Sequence, residues 1–205
     1  YIKADPNFTG RVTVPVLWDK AQNTIVSNES AEIIRMFNSA FNEITGNTDD
    51  YWPTDLREQI ADINERVYET VNNGVYKAGF ATSQDAYDDA VHPLFGSLAW
   101  LESILENNRF LACDKLTEAD WRLFTTLARF DLVYHTHFKC NHKRLTDYPN
   151  LWAYTRQLYQ HADIAETVHF DHIVRHYHFS QTTVNPHQII PINPTVDFSA
   201  PHERD

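Results

Sequence analysis

Two neighbouring stretches of sequence decide the fold: RVTVPVLWD at residues 11–19 and TIVSNES at residues 24–30. Each contains a short apolar segment, and the polar run DKAQN at residues 19–23 favours a tight turn between them. The second stretch continues into a helix whose first turn carries Glu29 and Ser30. The pattern predicts a strand, a hairpin turn, a second strand and then a helix.

Pro15 lies inside the first predicted strand. Proline has no backbone N–H, so it belongs at a sheet edge or beside a ligand. A cis Val14–Pro15 bond would leave the backbone polar groups of Val14 unpaired, and those groups could bind a peptide in antiparallel fashion. Alone, the feature is typical of an ordinary edge proline.

The predicted helix start offers complementary groups. Free N–H groups and the helix dipole favour a carboxylate beside Ser30, while the side chain of Glu29 can accept hydrogen bonds from an ammonium group. Each residue alone is typical of an ordinary helix cap. Together with Val14 and Pro15, they predict a site for a tripeptide that carries a zwitterionic γ-glutamyl group.

Composition and charge narrow the possible functions. With 205 residues, of which 42% are apolar and 13% aromatic, the chain can bury a substantial core in one or two domains. The net charge of −11 opposes a general nucleic-acid or anionic-membrane surface, because phosphates would be repelled. No apolar run approaches the roughly 20 residues that cross a bilayer, and no signal-like start is present. Two cysteines make no disulfide framework, which favours the reducing cytoplasm.

Helical periodicity dominates after the second strand. One apolar stripe predicts a helix over residues 30–44, ended by Gly46, with a domain boundary in residues 47–53. The other predicted helices cover residues 54–72, 83–107 with a bend at Pro93, a stretch after Thr117, 149–161 and 164–179.

The chain end is rich in proline. Four of its nine prolines, Pro186, Pro191, Pro194 and Pro201, lie in the last twenty residues and predict an extended surface tail. The sequence therefore predicts an α/β domain at residues 1–46, an all-α domain at 54–179 and a tail at 180–205.

Thr117 and Asp120 place a hydroxyl and a carboxylate three residues apart at a predicted helix start. Such a capping box satisfies free backbone N–H groups reciprocally. Its predicted role is in folding. The helix that follows is apolar over much of its surface, as expected at the centre of a bundle.

Three histidines, His169, His172 and His176, would share one face of a helix, and zinc commonly takes imidazole ligands. No cysteine or acidic signature completes a ligand set. The spacing therefore favours a solvated or interface histidine cluster, and no metal is predicted.

Many separate blocks resemble one protein family, in the same order along the chain. They are TVPVLWD (13–19), SNESAEIIRMF (27–37), NGVYKAGFA (73–81), LTEAD (116–120), RFD (129–131), HFKCN (137–141), DYPNLW (147–152), HY (176–177) and NP (185–186) with Pro191. On these blocks the sequence resembles the glutathionyl-hydroquinone reductases, the Xi class of glutathione transferases. The resemblance implies the C-terminal half of a thioredoxin-like domain followed by a glutathione transferase-type helical domain.

The resemblance also implies ligands. Val14, Glu29 and Ser30 would hold glutathione as the cosubstrate, and an aromatic glutathionyl-hydroquinone would be the substrate. A homodimer formed through the helical domain is a further expectation from the family.

Tyrosines carry the implied substrate chemistry. Tyr76 and Tyr177 lie in blocks that in the family cover the hydroquinone pocket, where a phenol can hydrogen-bond a substrate hydroxyl or relay its proton. Since a tyrosine pKa is ordinarily about 10, positioning is expected rather than full deprotonation. Tyr134, on the apolar central helix, is a weaker candidate.

The family nucleophile is a cysteine in a Cys-Pro-Trp motif after the first thioredoxin strand. The sequence contains no Cys-Pro pair, so we expect the nucleophile to precede Tyr1 and this chain alone to bind without turnover. Cys113 stands where the family more often has glycine and is predicted to be a small packed or turn residue. Cys140 is predicted to be structural.

The expected activity is glutathione-dependent reduction of glutathionyl-hydroquinones to hydroquinones, through thiolate attack on the glutathionyl sulfur. Two alternatives stay open. A noncatalytic glutathione transferase-like scaffold module needs no nucleophile. A conventional conjugating glutathione transferase would use a serine or tyrosine instead.

Overall fold

The computed structural model describes residues 1–204, and its backbone divides into two units at Pro53. The first unit contains an antiparallel hairpin of β1 (Leu17–Asp19) and β2 (Thr24–Ser27), followed by helix α1 (Ser30–Ser39). This confirms the predicted order of strand, hairpin, strand and helix. The first strand is shorter than the apolar run, because pairing starts only after Pro15.

The hairpin turn follows from local hydrogen bonds. One carboxylate oxygen of Asp19 accepts from the N–H groups of Ala21 (2.8 Å) and Gln22 (2.9 Å). Asn23 completes the turn in the left-handed region, with φ of 56°. Short polar side chains favour such turns because they bond to the nearby backbone.

The predicted helix over residues 30–44 is interrupted, so that prediction is wrong. Helix α1 ends at Ser39, and a short helix, α2 (Asn42–Thr45), ends at Gly46 with φ of 70°. Near the end of α1, the side chain of Asn38 accepts from the N–H of Tyr51 (2.8 Å), which ties this end of the helix to the segment before Pro53.

The apolar stripe that suggested the longer helix is mostly exposed. Only Ile33 is buried, whereas Ile34, Phe37, Phe41 and Ile44 are exposed. The stripe predicted an apolar helix face correctly, but within residues 1–53 that face is not a core.

The second unit is helical. Its α-helices are α3 (Arg57–Val67), α4 (Gly74–Gly79), α5 (Gln84–Leu105), α6 (Glu118–Leu127), α7 (His135–His137), α8 (Pro149–Tyr159) and α9 (Phe170–Ser180). Two π-helical segments, Tyr68–Asn72 and Phe130–Tyr134, follow α3 and α6. Short 3₁₀ turns cover Thr54–Leu56, Leu145–Asp147 and Ile164–Thr167. The three-part division at 1–46, 54–179 and 180–205 stays a prediction.

Predicted core positions of two helices are buried. In α5 the leucines at 94, 98, 101 and 105 are at most 2% exposed, which confirms the predicted stripe. In α3 the apolar face at Ile60, Ile63 and Val67 is likewise buried. Helix α8 also lies within its predicted range.

One predicted helix limit is confirmed and one is wrong. The helical run predicted over residues 54–72 is present as the 3₁₀ turn Thr54–Leu56, α3 and the first π-helical segment, and a new helix, α4, begins at Gly74 after a turn at Asn73. The helix predicted over 164–179 is broken before Phe170. His169 therefore lies outside α9, and the three histidines do not share one helix face.

The capping box is confirmed, and it is the centre of a larger network. The buried carboxylate of Asp120 accepts hydrogen bonds from the backbone N–H (2.8 Å) and hydroxyl (3.0 Å) of Thr117. It also accepts from the N–H of Leu111 (3.0 Å) and the hydroxyl of Tyr154 (2.7 Å). Burial nevertheless raises the pKa of Asp120 above its ordinary value.

Residues 181–204 form no helix or strand, as predicted. The prediction of a purely superficial tail is wrong for its end. Phe198 is buried, with its ring 4.7 Å from that of Phe170. The guanidinium of Arg204 donates to the carbonyls of Leu105 (3.1 Å) and Asn108 (2.8 Å), at and just after the end of α5. Within residues 1–204, no helix has the length and apolar character needed to span a membrane.

Candidate functional site

The first unit presents the unpaired backbone groups that the sequence predicts around Pro15. The Val14–Pro15 bond is cis, and Val14 is 89% exposed. Among residues 1–204, no hydrogen bond uses the backbone N–H or carbonyl of Val14. A side-chain bond from Asn28 to the Thr13 hydroxyl (3.2 Å) ties this segment to the start of α1. The structure thus brings Val14 near the predicted anion-binding helix tip.

The N-terminus of α1 is open. Glu29 is the N-cap residue, and its carbonyl accepts the N–H groups of Glu32 and Ile33. Within the described chain, no side chain caps this helix end, which leaves the N–H groups of Ser30 and Ala31 without partners. Such N–H groups favour an anion, and the exposed Glu29 and Ser30 side chains lie beside them.

Ser27 fixes the approach to this helix tip. Its hydroxyl donates to the carboxylate of Glu32 (2.8 Å) and accepts from the N–H of Glu29 (3.1 Å). Because Glu32 is held by Ser27, the carboxylate of Glu29 is the one left to meet a cation at the tip.

The second unit brings the predicted tyrosines together. The hydroxyl of Tyr76, from α4, hydrogen-bonds that of Tyr177, from α9. The Tyr177 hydroxyl also lies 2.9 Å from that of Tyr134, at the end of the second π-helical segment. Tyr76 is 37% exposed, whereas the other two are buried. The weaker candidate, Tyr134, is therefore a full member of this tyrosine cluster.

An aromatic ring that sequence reasoning did not single out supports the tyrosine cluster. Phe138 is fully buried, stacks on Tyr134 at 5.5 Å between ring centroids, and meets Tyr76 (5.3 Å) and Tyr177 (5.8 Å) edge-on. Its position in the HFKCN block was the available signal. Rings packed in this way hold the three phenols in fixed orientations.

The two buried tyrosines of the cluster are protonated at neutral pH. Burial raises the pKa of Tyr134 and of Tyr177 above the ordinary value of 10.0, and the bonds with Tyr76 add to the effect. The positive charge of Arg129 acts in the opposite direction on the pKa of Tyr177 but does not reverse the shift. The hydroxyl chain can therefore orient a substrate hydroxyl and pass a proton along, rather than supply a phenolate base from its buried members.

Gly79 makes room for Phe138. A Cβ at Gly79 would overlap ring carbons of Phe138, which is fully buried and cannot move aside freely. We expect Gly79→Ala to lower the free energy of unfolding by about 1–3 kcal/mol through overpacking. Chemical denaturation measures the effect.

Gly96 provides the matched control, since it lies on an exposed face of α5 and a methyl group added there would have no neighbour within 4 Å. Gly96→Ala should raise stability by roughly 0.5–1 kcal/mol, the usual helix propensity gain. Equal effects of the two substitutions would contradict the assigned role of Gly79.

Neither cysteine stands in the Cys-Pro-Trp motif expected of the nucleophile. Cys140 is fully buried, and burial raises the pKa of its thiol to about 12. Cys113 lies in a tight turn with φ of 71°, closed by the N–H of Phe110 on its carbonyl (2.8 Å). The predicted turn role of Cys113 is confirmed.

The two thiols should differ in accessibility. Cys113 is exposed and should react with Ellman's reagent in the native protein, whereas Cys140 should react only after unfolding. Counting thiols with and without denaturant checks this. Cys113→Ser should abolish the native signal, and a residual fast-reacting thiol in that variant would show that Cys140 is accessible.

A buried histidine pair adjoins the tyrosine cluster, and no sequence pattern pointed to it. The rings of His137 and His178 lie 4.6 Å apart, and His137 bonds the side chain of Gln181 (2.9 Å). The Nε2 atom of His178 is buried without a partner. Burial lowers the pKa of both imidazoles, and Lys139 lowers that of His137 further.

This pair should make stability depend on pH. Below the ordinary histidine pKa of 6.5, the unfolded chain binds protons that the folded pair resists, so stability falls as pH decreases. We expect Tm to fall as the pH is lowered from about 7.5 to about 5. The fall in Tm should be smaller in His178→Phe than in the wild type. Comparing variants isolates the pair, because the raised pKa of Asp120 acts in the opposite sense. The control His172→Phe, at an exposed site, should keep the wild-type slope.

The histidines His169, His172 and His176 do not form a metal centre among the residues that the structure describes. His169 and His172 are exposed, with ring centroids 5.2 Å apart. Among residues 1–204, no three histidine, cysteine or acidic side chains lie close enough to hold a metal ion.

The fold class is that of a glutathione transferase, and the family described as glutathione S-transferase, C-terminal domain, matches residues 84–157. Glutathionyl-hydroquinone reductase YqjG of Escherichia coli is 59% identical over all of this chain and 62% of its own length. Its glutathione-bound structure aligns with a TM-score of 0.98, covering 100% of this chain and 66% of that one. Glutathione transferase Xi 1 from Trametes versicolor is 51% identical, with a TM-score of 0.92 over 95% of this chain and 68% of that one.

The chain belongs to the Xi class of glutathione transferases. This confirms the resemblance found in the sequence blocks. The chain spans 62% of the length of the curated relatives that are named glutathionyl-hydroquinone reductases.

Proposed function

We propose that this chain works in the glutathione-dependent reduction of glutathionyl-hydroquinones to hydroquinones. The observation that carries the proposal is the tyrosine cluster, in which Tyr76, Tyr177 and Tyr134 are linked by their hydroxyls beside an exposed edge. The similarity to YqjG, named a glutathionyl-hydroquinone reductase, supports the same substrate class.

The first unit is assigned the glutathionyl group. The free backbone N–H and carbonyl of Val14 match the peptide groups of glutathione. The free N–H groups at Ser30 match the γ-glutamyl carboxylate, and Glu29 matches the ammonium group. We expect Glu29→Gln to weaken glutathione binding about tenfold, measured by calorimetry, because it removes the negative charge that meets the ammonium group.

The second unit is assigned the hydroquinone. Tyr76 is the exposed end of the hydroxyl chain, so it is the phenol that meets a substrate hydroxyl first. Tyr177 and Tyr134 lie behind it and are protonated at neutral pH because burial raises the pKa of each. They hold Tyr76 in place and can return a proton to it.

The proposed reaction exchanges a carbon–sulfur bond for a disulfide. A cysteine thiolate attacks the sulfur of the glutathionyl-hydroquinone, the S–C bond breaks, and the ring carbon takes up its electron pair and a proton. A second glutathione then attacks the mixed disulfide, giving glutathione disulfide and restoring the thiolate. The thiolate comes from a cysteine other than Cys113 and Cys140, since one closes a turn and the other is buried as a thiol.

The test uses the protein that carries this chain. It is supplied with glutathionyl-hydroquinone and glutathione, and the release of hydroquinone is measured by chromatography. We expect turnover, with Tyr76→Phe and Tyr177→Phe each lowering kcat/KM by about 10²-fold. Tyr68→Phe is the matched control, because Tyr68 is exposed and outside the tyrosine cluster. It should leave turnover unchanged.

The outcomes separate the alternatives. Conjugation of glutathione to 1-chloro-2,4-dinitrobenzene without hydroquinone release would replace the proposal with a conventional conjugating transferase. If the folded protein catalyses neither of these two reactions, the result would favour the scaffold module.

A cytoplasmic location and a homodimer complete the proposal. Two cysteines that form no disulfide support a reducing compartment. Membership of the transferase family supports the dimer, and sedimentation equilibrium of the protein tests it.

A further inference from the structure

The helical unit contains a cavity apart from the tyrosine cluster. Its volume is about 420 Å³, and it lies among α6, the Ile164–Thr167 turn and the start of α9. Trp121, Phe124, Ile164 and Ile173 form apolar walls. A cavity of this size and lining suits a small aromatic molecule.

The cavity has one permanently charged side chain among the described residues that line it, the guanidinium of Arg129. Among residues 1–204 no aspartate or glutamate lines it, and the imidazoles of His169 and His172 are its other ionisable groups. The carboxylate of Asp171 contacts His172 (3.7 Å), but both side chains are exposed, so this contact lies at the rim. In a chain with a net charge of −11, this cavity is therefore a local site for an anion.

Arg129 is held in place for this role. It is half-buried, and its guanidinium donates to the carbonyl of Thr125, one turn earlier on α6. That bond uses one of its five N–H groups and leaves the others to face an anionic ligand. A carboxylate on a planar ring would meet Arg129 while the ring lies against Trp121 and Ile173.

We propose that this cavity is a second ligand site, which takes small aromatic carboxylates. None of the three cluster tyrosines lines it within residues 1–204. It is nevertheless close to the tyrosine cluster, since Ile173 precedes Tyr177 by one turn of α9 and the charge of Arg129 reaches Tyr177. The proposal does not depend on the activity proposed above.

The test uses 1-naphthoate as the probe and calorimetry of the intact chain. We expect one saturable site, with affinity lowered about tenfold or more in Arg129→Gln. The neutral analogue 1-naphthalenemethanol should bind more weakly and should not respond to that substitution. Arg175→Gln is the matched control, because it removes the same charge from an exposed position of α9 outside the cavity.

A variant that fills the cavity tests the same site without changing the charge of Arg129. Thr125 is exposed at the cavity wall, so Thr125→Trp should occupy the cavity and abolish naphthoate binding while the far-UV circular dichroism stays unchanged. Added glutathionyl-hydroquinone should not displace naphthoate. Absence of saturable binding, equal affinity in Arg129→Gln, or full displacement by glutathionyl-hydroquinone would each overturn the second site.

Discussion

Asp120→Ala is expected to lower the free energy of unfolding by about 3–5 kcal/mol. The substitution removes an acceptor shared by four hydrogen bonds and leaves the N–H groups of Leu111 and Thr117 and the hydroxyl of Tyr154 buried without a partner. An unsatisfied buried donor costs about 1–3 kcal/mol. Against a typical net stability of about 5–15 kcal/mol, this loss is a large fraction of the total.

Urea denaturation followed by circular dichroism measures this effect. Asp62→Ala is the matched control, because Asp62 lies on the exposed face of α3 and its removal should change stability by less than about 0.5 kcal/mol. Asp120→Asn should fall between the two, since an amide oxygen still accepts while its NH₂ group meets donors. A loss below about 1 kcal/mol in Asp120→Ala would show that water satisfies the freed groups.

The Asp120 network shows what local sequence can predict. The spacing of Thr117 and Asp120 is enough to predict the capping box, because both partners lie in one helix turn. The bonds to Leu111 and Tyr154 join residues 9 and 34 positions away, and no local pattern contains them. Local signals therefore predicted the start of the helix but not the network that makes it essential.

The glycines show both sides of this limit. The local sequence predicts a helix boundary at Asn73-Gly74, and the structure has one, since α4 begins at Gly74 after a turn at Asn73. Gly79 has no local reason at all, and its cause is Phe138, far along the chain. A rule based on intrinsic propensity fails where packing between helices selects the smallest residue.

The residues of the candidate site also differ in whether local sequence or distant contacts determine them. Val14, Glu29 and Ser30 were predictable because a strand, a proline and a helix start follow one another within twenty residues. Tyr76 and Tyr177 came only from the family blocks, since their contact joins positions 101 apart. The buried pair of His137 and His178 and the cavity at Arg129 depend on how α9 packs, which periodicity does not specify. Their existence follows from tertiary structure alone.

Phe198→Ala is expected to cost about 3 kcal/mol, which is the lower end of the range for a buried phenylalanine. Although it lies in the proline-rich tail, Phe198 is only 6% exposed. Its ring is 4.7 Å from Phe170, 5.1 Å from Trp152 and 5.3 Å from Tyr159. Gln160 adds hydrogen bonds of 2.8 Å from its amide to the carbonyls on either side of Ser199.

The tail should also lose its order in this variant. Phe198 is the buried apolar side chain of the tail, and it lies along the chain between the end of α9 and the hydrogen-bonded Arg204. Its removal should therefore expose residues 181–204 to protease before the helices unfold. Phe179→Ala is the matched control, since that ring is 54% exposed and should cost less than about 1 kcal/mol. Hydrogen exchange and limited proteolysis of the two variants distinguish a tail that packs on the helices from one that lies loosely on the surface. If the tail is as protected in Phe198→Ala as in the wild type, then Arg204 alone holds it in place.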